Sequence, residues 1–303
     1  MNTKAIIAVV LSSVLLCAFG LVIFQPTNTC PTLYPKYPMD SRFESIDPTW
    51  LYDENGVIML RYASVGLQYN PVTVSQYAIY LYHKYYDTRN ETFKDRFLIQ
   101  VNWLVETVKH KGNFSFWEIM FDWDYYGMKA PFVSAMAQGE AISVLIRAHN
   151  LTSDPLYFEL IGTAINVFEV DTRQGGVRYT DPNGYVWFEE YADTEGKTSN
   201  VLNGFIFALL GLYEASEFYE KADELFKEGL VTLVSNLHKF DTGKGSYYDL
   251  LGYVASPEYH DLHIQQLETL YNLTNKEVFL QFSQLFQAYV DMDLKPQGRE
   301  VLP

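Results

Sequence analysis

The segment HNLTSDPLYFEL (residues 149–160) decides the fold, because its pattern returns as YNLTNKEVFLQF (271–282). Each copy reads as the end of one helix, a short polar turn and the start of the next. Asp154-Pro155 and a Thr274-x-x-Glu277 capping box are start signals for the second helices. Beyond each turn the apolar residues recur at 3, 4, 3 spacing: Phe158, Ile161, Ile165 and Phe168 in one copy, Phe279, Phe282, Phe286 and Tyr289 in the other. That spacing lines one face of a helix. Repetition of the unit argues for tandem helical hairpins.

Working outward, the helical patterns fall into four pairs: about 73–87 with 91–110, 133–149 with 154–169, 200–216 with 218–237, and 260–272 with 275–292. First members such as AISVLIRA (141–148) and VLNGFIFALLGLY (201–213) are apolar on most sides, as expected of inner helices buried by their neighbours. Connections within a pair are short. Connections between pairs run to about 20–30 residues, uncommon in a compact domain unless they carry function. GGVRYTDPNGYVWFEE (175–190) reads as a hairpin around Asp181-Pro-Asn-Gly184. NFSFWEIMFDWDYYG (113–127) and TGKGSYYDLLGYV (242–254) are similarly aromatic. The expected fold is all-α dominated: an incomplete α/α toroid of about four helical hairpins over residues 66–303, with short β-hairpins in the inter-pair loops. An open peptide-binding solenoid fits the long, unequal connections less well.

Ahead of that domain, residues 5–24 form an uncharged apolar run. At 1.5 Å per residue it reaches roughly 30 Å, one hydrocarbon core. Lys4 precedes it and almost no positive charge follows, so the positive-inside rule puts the N-terminus in the cytosol and the rest outside. Residues 1–25 are therefore expected to be a transmembrane anchor. A cleavable signal peptide is the competing reading, disfavoured by the length of the run and the lack of a small-x-small site. Residues 26–65 read as a tether with a short strand at Val57–Tyr62. Four sequons, at Asn90, Asn113, Asn150 and Asn272, agree with an extracytoplasmic, cell-surface or lumenal location.

The 303 residues carry a formal charge of −15, which disfavours nucleic acid and anionic lipid as partners. Two cysteines, both near the N-terminus, provide no disulfide framework. Twenty-four tyrosines offer flat apolar faces with hydroxyls, a surface suited to sugar as well as to packing between helices.

In a row of antiparallel pairs, short turns gather at one end and the inter-pair loops at the other. The loop end is then a binding mouth decorated by WFEEY (187–191). Each inner helix also opens with a carboxamide: Gln76, Gln138, Asn203 and Gln265-Gln266. Carboxamides both donate to and accept from hydroxyls. Chemistry could come from Glu189, Glu190 and Tyr191 on one loop, Tyr247, Tyr248 and Asp249 on the next, and Tyr259 before the last inner helix. Arg147 and Arg178 are nearby cations, and Trp187 a candidate stacking surface. His260 and His263 share a helix face and can shape the site or contact substrate. Zinc would need a third ligand the sequence does not offer, so no metal is expected. Adjacent Glu189 and Glu190 do not suit a positioned glycosidase pair. Tyrosines across a slot suggest proton transfer to and from carbon.

The blocks GLQYNPVTVSQYA (66–78), SAMAQGEAISVLIRAH (134–149), WFEEY (187–191), VLNGFIFALLGLYE (201–214), DTGKGSYYDL (241–250) and YHDLHIQQL (259–267) resemble, in order, the C-terminal domain of the D-glucuronyl C5-epimerase family. The resemblance implies an α/α toroid with a cleft at one end. It implies conversion of glucuronate to iduronate within a glycan by inversion at C5, with no cofactor. It further implies that Glu190, Tyr191, Tyr248 and Tyr259 line the reacting sugar and that Asn203 hydrogen-bonds nearby. The animal enzymes carry an Arg after YDL where this chain has Leu251, so either Arg147, Arg178 or Arg61 takes its place or the substrate carboxylate is held differently. The expected partners are a glucuronate-containing glycan, the membrane through one helix, and a second copy of the chain in a homodimer. A uronate lyase on the same toroid and a non-catalytic, membrane-tethered glycan-binding protein are the alternatives.

Overall fold

The computed structural model describes residues 40–44 and 50–294. The anchor expected over residues 1–25 lies outside them, as does the tether up to residue 39. Among the described residues no helix is long and apolar enough to cross a membrane.

The domain is mostly helical, with small antiparallel hairpins. Its helices form four pairs: α1 (Pro71–Thr88) with α2 (Glu91–Thr107), α3 (Ala135–Thr152) with α4 (Pro155–Ala164), α5 (Leu202–Ala215) with α6 (Glu220–Asn236), and α7 (Pro257–Thr274) with α8 (Glu277–Leu294). Local chemistry sets the ends. Asn70 accepts from the Val72 N–H and precedes Pro71 at the start of α1, and Asp154 does the same for Leu156 ahead of Pro155. Arg89, Ser153 and Asn275 take left-handed conformations and close α1, α3 and α7. Helix α7 begins three residues earlier than its apolar pattern suggests, because Ser256 caps it and Pro257 starts it. Thr274, expected to cap α8, belongs instead to the last turn of α7 and bonds back to the Leu270 carbonyl.

Helix α1 packs on α3, α3 on α5 and α5 on α7, while each also packs on its own partner. The first members are therefore an inner layer. Every residue of α3 from Ala135 to Ala148 is buried, as is nearly all of α5. Glycine allows the tightest crossing. A Cβ on Gly211 would sit 2.1 Å from the Gly139 carbonyl oxygen, so α3 and α5 touch backbone to backbone. Helices α1 and α7 do not pack on each other to a comparable extent, and the row stays open between them.

Strands β1 (Trp50–Tyr52), β2 (Ile58–Tyr62) and β3 (Gly66–Gln68) form an antiparallel sheet at the start of α1. The short strand expected at Val57–Tyr62 is present as β2. Ile58 is fully buried in the core, and its N–H donates to Gln100 of α2 at 3.1 Å. The inter-pair loops hold the hairpins β4–β5 (Lys109–Lys111, Phe114–Phe116), β6–β7 (Glu118–Ile119, Phe132–Val133) and β8–β9 (Arg178–Thr180, Val186–Phe188). The last turns at Asp181, whose carboxylate accepts from the Asn183 and Tyr185 N–H groups, and at Gly184, whose φ is 87°. Loop 242–254 forms only isolated bridges.

Candidate active site

The N-termini of α1, α3, α5 and α7 converge on a cleft. Asn70 and Thr73 reach it from α1, Ser134 from α3, Asn203 from α5 and Tyr259 from α7. Each helix contributes the positive end of its dipole, so the floor of the cleft favours negative charge.

Glu190 and Tyr191 follow β9 and enter the cleft together. Glu190 lies against the first turn of α5, where only glycine fits. A Cβ on Gly204 would come within 2.1 Å of Glu190 Oε2. Burial pushes the Glu190 carboxyl up to about 7. Hydrogen bonds from Tyr191 and Tyr248 and the Gly204 N–H oppose that rise, and Glu189 adds to it. Glu189 points the other way. Its Oε2 accepts from the Ser199 N–H at 3.0 Å, the Ser199 hydroxyl at 3.1 Å and the Asn200 N–H at 3.2 Å, while burial raises it to about 7 as well.

Tyr248 stands within hydrogen-bonding reach of Glu190, Tyr191 and Tyr259. Its ring meets Tyr259 edge to face, centroids 4.8 Å apart. Burial is the main cause that drives all three phenols above the ordinary tyrosine range, and the Glu190 charge reinforces it. Near neutral pH they are proton donors. Tyr259 reaches the opening and is 40% exposed. The structure thus brings Glu190, Tyr191, Tyr248 and Tyr259 into one cluster, with Asn203 on the same wall and its Oδ1 buried without a partner.

Other residues singled out in the sequence stand elsewhere. Gln138 is fully buried and clamps the backbone of Trp117, accepting from its N–H and donating to its carbonyl. Gln266 donates to the Asn203 carbonyl, also in the interior. Trp187 is core, packed on Phe205 and Phe240. Arg147 makes a bidentate ion pair with Glu214 at 2.7 and 2.8 Å between α3 and α5. It sits toward the C-terminal end of α3, away from the cleft. Arg178 pairs with Glu228 of α6, outside the cleft. Arg61 alternates with Leu60 and Tyr62, which face the cleft, and is itself exposed. Leu251 is exposed. His260 and His263 both turn Nδ1 onto Ser246, at 2.7 and 2.8 Å. His260 Nε2 meets the Phe286 carbonyl, which can only accept. Nε2 is therefore the donor to that carbonyl, and Ser246 Oγ bridges the Nδ1 atoms of the two rings. This wire ties α7 to the preceding loop and to α8.

Several cleft residues carry no signal in the sequence. Tyr62 enters from β2, held by Asn70 at 2.7 Å. Trp123 lies parallel to Tyr191 at 6.5 Å, and Tyr126 packs on Tyr191 at 4.5 Å. Tyr126 also donates to Asp249 at 2.5 Å, joining two inter-pair loops. Arg42 comes from a 3₁₀ turn, Asp40–Phe43, ahead of the sheet. The segment NFSFWEIMFDWDYYG was conspicuously aromatic, but nothing in it marks which rings face the cleft.

A mostly helical body thus gathers one carboxyl and three phenols near the N-termini of its inner helices. The family model "D-glucuronyl C5-epimerase C-terminus" matches residues 111–288, and the chain belongs to that family. The D-glucuronyl C5-epimerase of Caenorhabditis elegans is 32% identical over 215 residues, covering 63% of this chain and 34% of that protein. An uncharacterised Methanocaldococcus jannaschii protein is 28% identical over 307 residues, covering 93% of this chain and 97% of that one. Among solved structures, a GH76 α-mannanase from Bacteroides thetaiotaomicron matches with a TM-score of 0.52 at 15% identity, covering 81% of this chain and 64% of the mannanase chain. That likeness concerns the fold alone.

Proposed function

We propose that this domain is an incomplete α/α toroid that inverts C5 of glucuronate residues within a glycan, converting D-glucuronate to L-iduronate. The observation that carries this reading is the meeting of Glu190, Tyr191 and Tyr259 in one cleft at the helix N-termini, with the Tyr248 ring packed against Tyr259. Ionised Glu190, poised near neutrality, draws a proton from Tyr191 as Tyr191 takes H5 from C5. The C5–H electron pair moves into the carboxylate group as an enediolate. Tyr259 then delivers its phenolic proton to the opposite face of C5, and a relay through Tyr248 returns a proton from Tyr191 to Tyr259. A base and an acid on opposite faces are the requirement of inversion. The helix dipoles stabilise the added negative charge.

The test is incubation of a glucuronate-containing oligosaccharide with the protein in deuterated water. Deuterium at C5 of an intact chain is the expected result. A 4,5-unsaturated end would identify a lyase instead, and saturable binding without exchange a glycan-binding protein. The apolar run at residues 5–24 and the sequons support an anchored, extracytoplasmic form of this enzyme. Asn90, Asn150 and Asn272 lie at the short-turn ends of the helix pairs, opposite the cleft. A homodimer remains to be measured by light scattering.

A further inference from the structure

Uronate chemistry at C5 needs a cation on the carboxylate, because removal of H5 otherwise piles a second negative charge on the same group. The cations expected for this are spent or misplaced: Arg147 on Glu214, Arg178 on Glu228, Arg61 on the outer face of β2. Among the described residues lining the cleft there is one cation, Arg42.

Arg42 is half-buried, and its guanidinium lies over the rings of Phe43 and Trp50, 5.7 Å from each centroid. Its Nη1 donates to Gln76 Oε1 at 3.2 Å. Gln76 cannot turn over, because its Nε2 donates to Glu140 at 2.9 Å, a carboxylate that is itself fully buried. The amide oxygen is thereby held toward the guanidinium. Among the described residues no carboxylate pairs with Arg42, and Gln76 engages only one of its nitrogens. Its charge reaches the phenols on either side, opposing the upward shift of both Tyr62 and Tyr259.

We propose that Arg42 receives the carboxylate of the reacting uronate, with Gln76 and Glu140 as the positioning pair behind it. This rests on the uronate reading above. The planar guanidinium matches a carboxylate in two parallel hydrogen bonds. Held there, it offsets the charge of the enediolate and sets C5 beside Tyr259. The sheet-side segment thus supplies what the loop after Asp249 lacks at Leu251.

The experiment uses the full chain, wild type and the variants Arg42→Gln, Arg42→Lys and Gln76→Leu. Each is titrated with a glucuronate-containing oligosaccharide and with the same oligosaccharide after reduction of its carboxyls to alcohols. Wild type is expected to prefer the carboxylate form by about tenfold or more. Arg42→Gln should erase that preference and leave affinity for the reduced form unchanged. Arg42→Lys should restore part of it, and Gln76→Leu should weaken it together with some loss of melting temperature, because Glu140 is left buried without that donor. A wild type with no preference, or an Arg42→Gln protein that keeps it, overturns the assignment. C5 exchange is scored separately. A chain that shows the Arg42-dependent preference but no exchange refutes the epimerase reading and leaves this one standing.

Discussion

The rings of Tyr248 and Tyr259 meet edge to face at 4.8 Å, and the Glu190 charge bears on both phenols. Of the two, Tyr259 is the one that lines the cleft. Tyr259→Phe keeps the ring contact and removes only the proton. Turnover should fall by about 10²–10⁴ while KM changes little, the signature of an interaction used in the transition state. Steady-state kinetics on a glucuronate oligosaccharide, with C5 deuterium incorporation, read the effect. Activity within about twofold of wild type would remove Tyr259 from the mechanism.

Glu190 and Glu189 carry the pH dependence. With its carboxyl raised to about 7, Glu190 is the ionised base only above that point, so turnover should climb as pH rises through about 7. Stability runs the opposite way. Both carboxyls hold protons more tightly folded than unfolded, so their contribution is complete below about 4.5. It is lost as pH rises toward 7, at up to about 1.4 kcal/mol per pH unit for each group. Glu189→Gln should flatten part of that slope and gain stability at pH 8. The Gln oxygen can still accept from Ser199 and Asn200, and its NH₂ replaces the bare Oε1. Urea unfolding at pH 5, 6, 7 and 8 measures both slopes.

Gly204 fixes where Glu190 can lie. Gly204→Ala puts a methyl 2.1 Å from Glu190 Oε2 and 2.7 Å from its Cβ. The carboxyl must move away from Tyr191 and Tyr248. C5 exchange should drop by about 10²-fold or more, since displacement of a catalytic group by about 1 Å has that effect. The overpacking should lower stability by only about 1–3 kcal/mol. Exchange and thermal unfolding measured on the same preparation separate the two effects.

The helical pairs were legible because their signals are local. Spacing such as Phe279, Phe282, Phe286, Tyr289 and stops such as Ser153-Asp154-Pro155 lie within a few residues of what they specify. The EEY, YDL and YH segments were legible as motifs, and they meet in the cleft. Arg42 and Tyr62 were not. They belong to segments without helical periodicity, and only the packing of the 3₁₀ turn and of β2 against α1 brings them to the cleft that Glu190 lines. The carboxamides show a related limit. Gln76 and Gln138 open their helices alike, yet one faces Arg42 and the other the Trp117 backbone, a choice made by neighbours from other elements. Arg147 looked available because its partner Glu214 lies on another helix, 67 residues away.

That partner makes Arg147 a test of structure apart from chemistry. Both side chains are under 5% exposed, and two hydrogen bonds join them across α3 and α5. Desolvation offsets most of their attraction, so the pair matters most when half of it is removed. Arg147→Met leaves Glu214 buried and uncompensated and should destabilise the fold by about 3–5 kcal/mol. The double variant Arg147→Met/Glu214→Leu, apolar on both sides, should recover most of that loss. Its C5 exchange should then match wild type, because neither residue lines the cleft. Unfolding free energies of the two single variants and the double variant complete the cycle. A double variant that folds well but has lost exchange would return Arg147 to the list of substrate contacts.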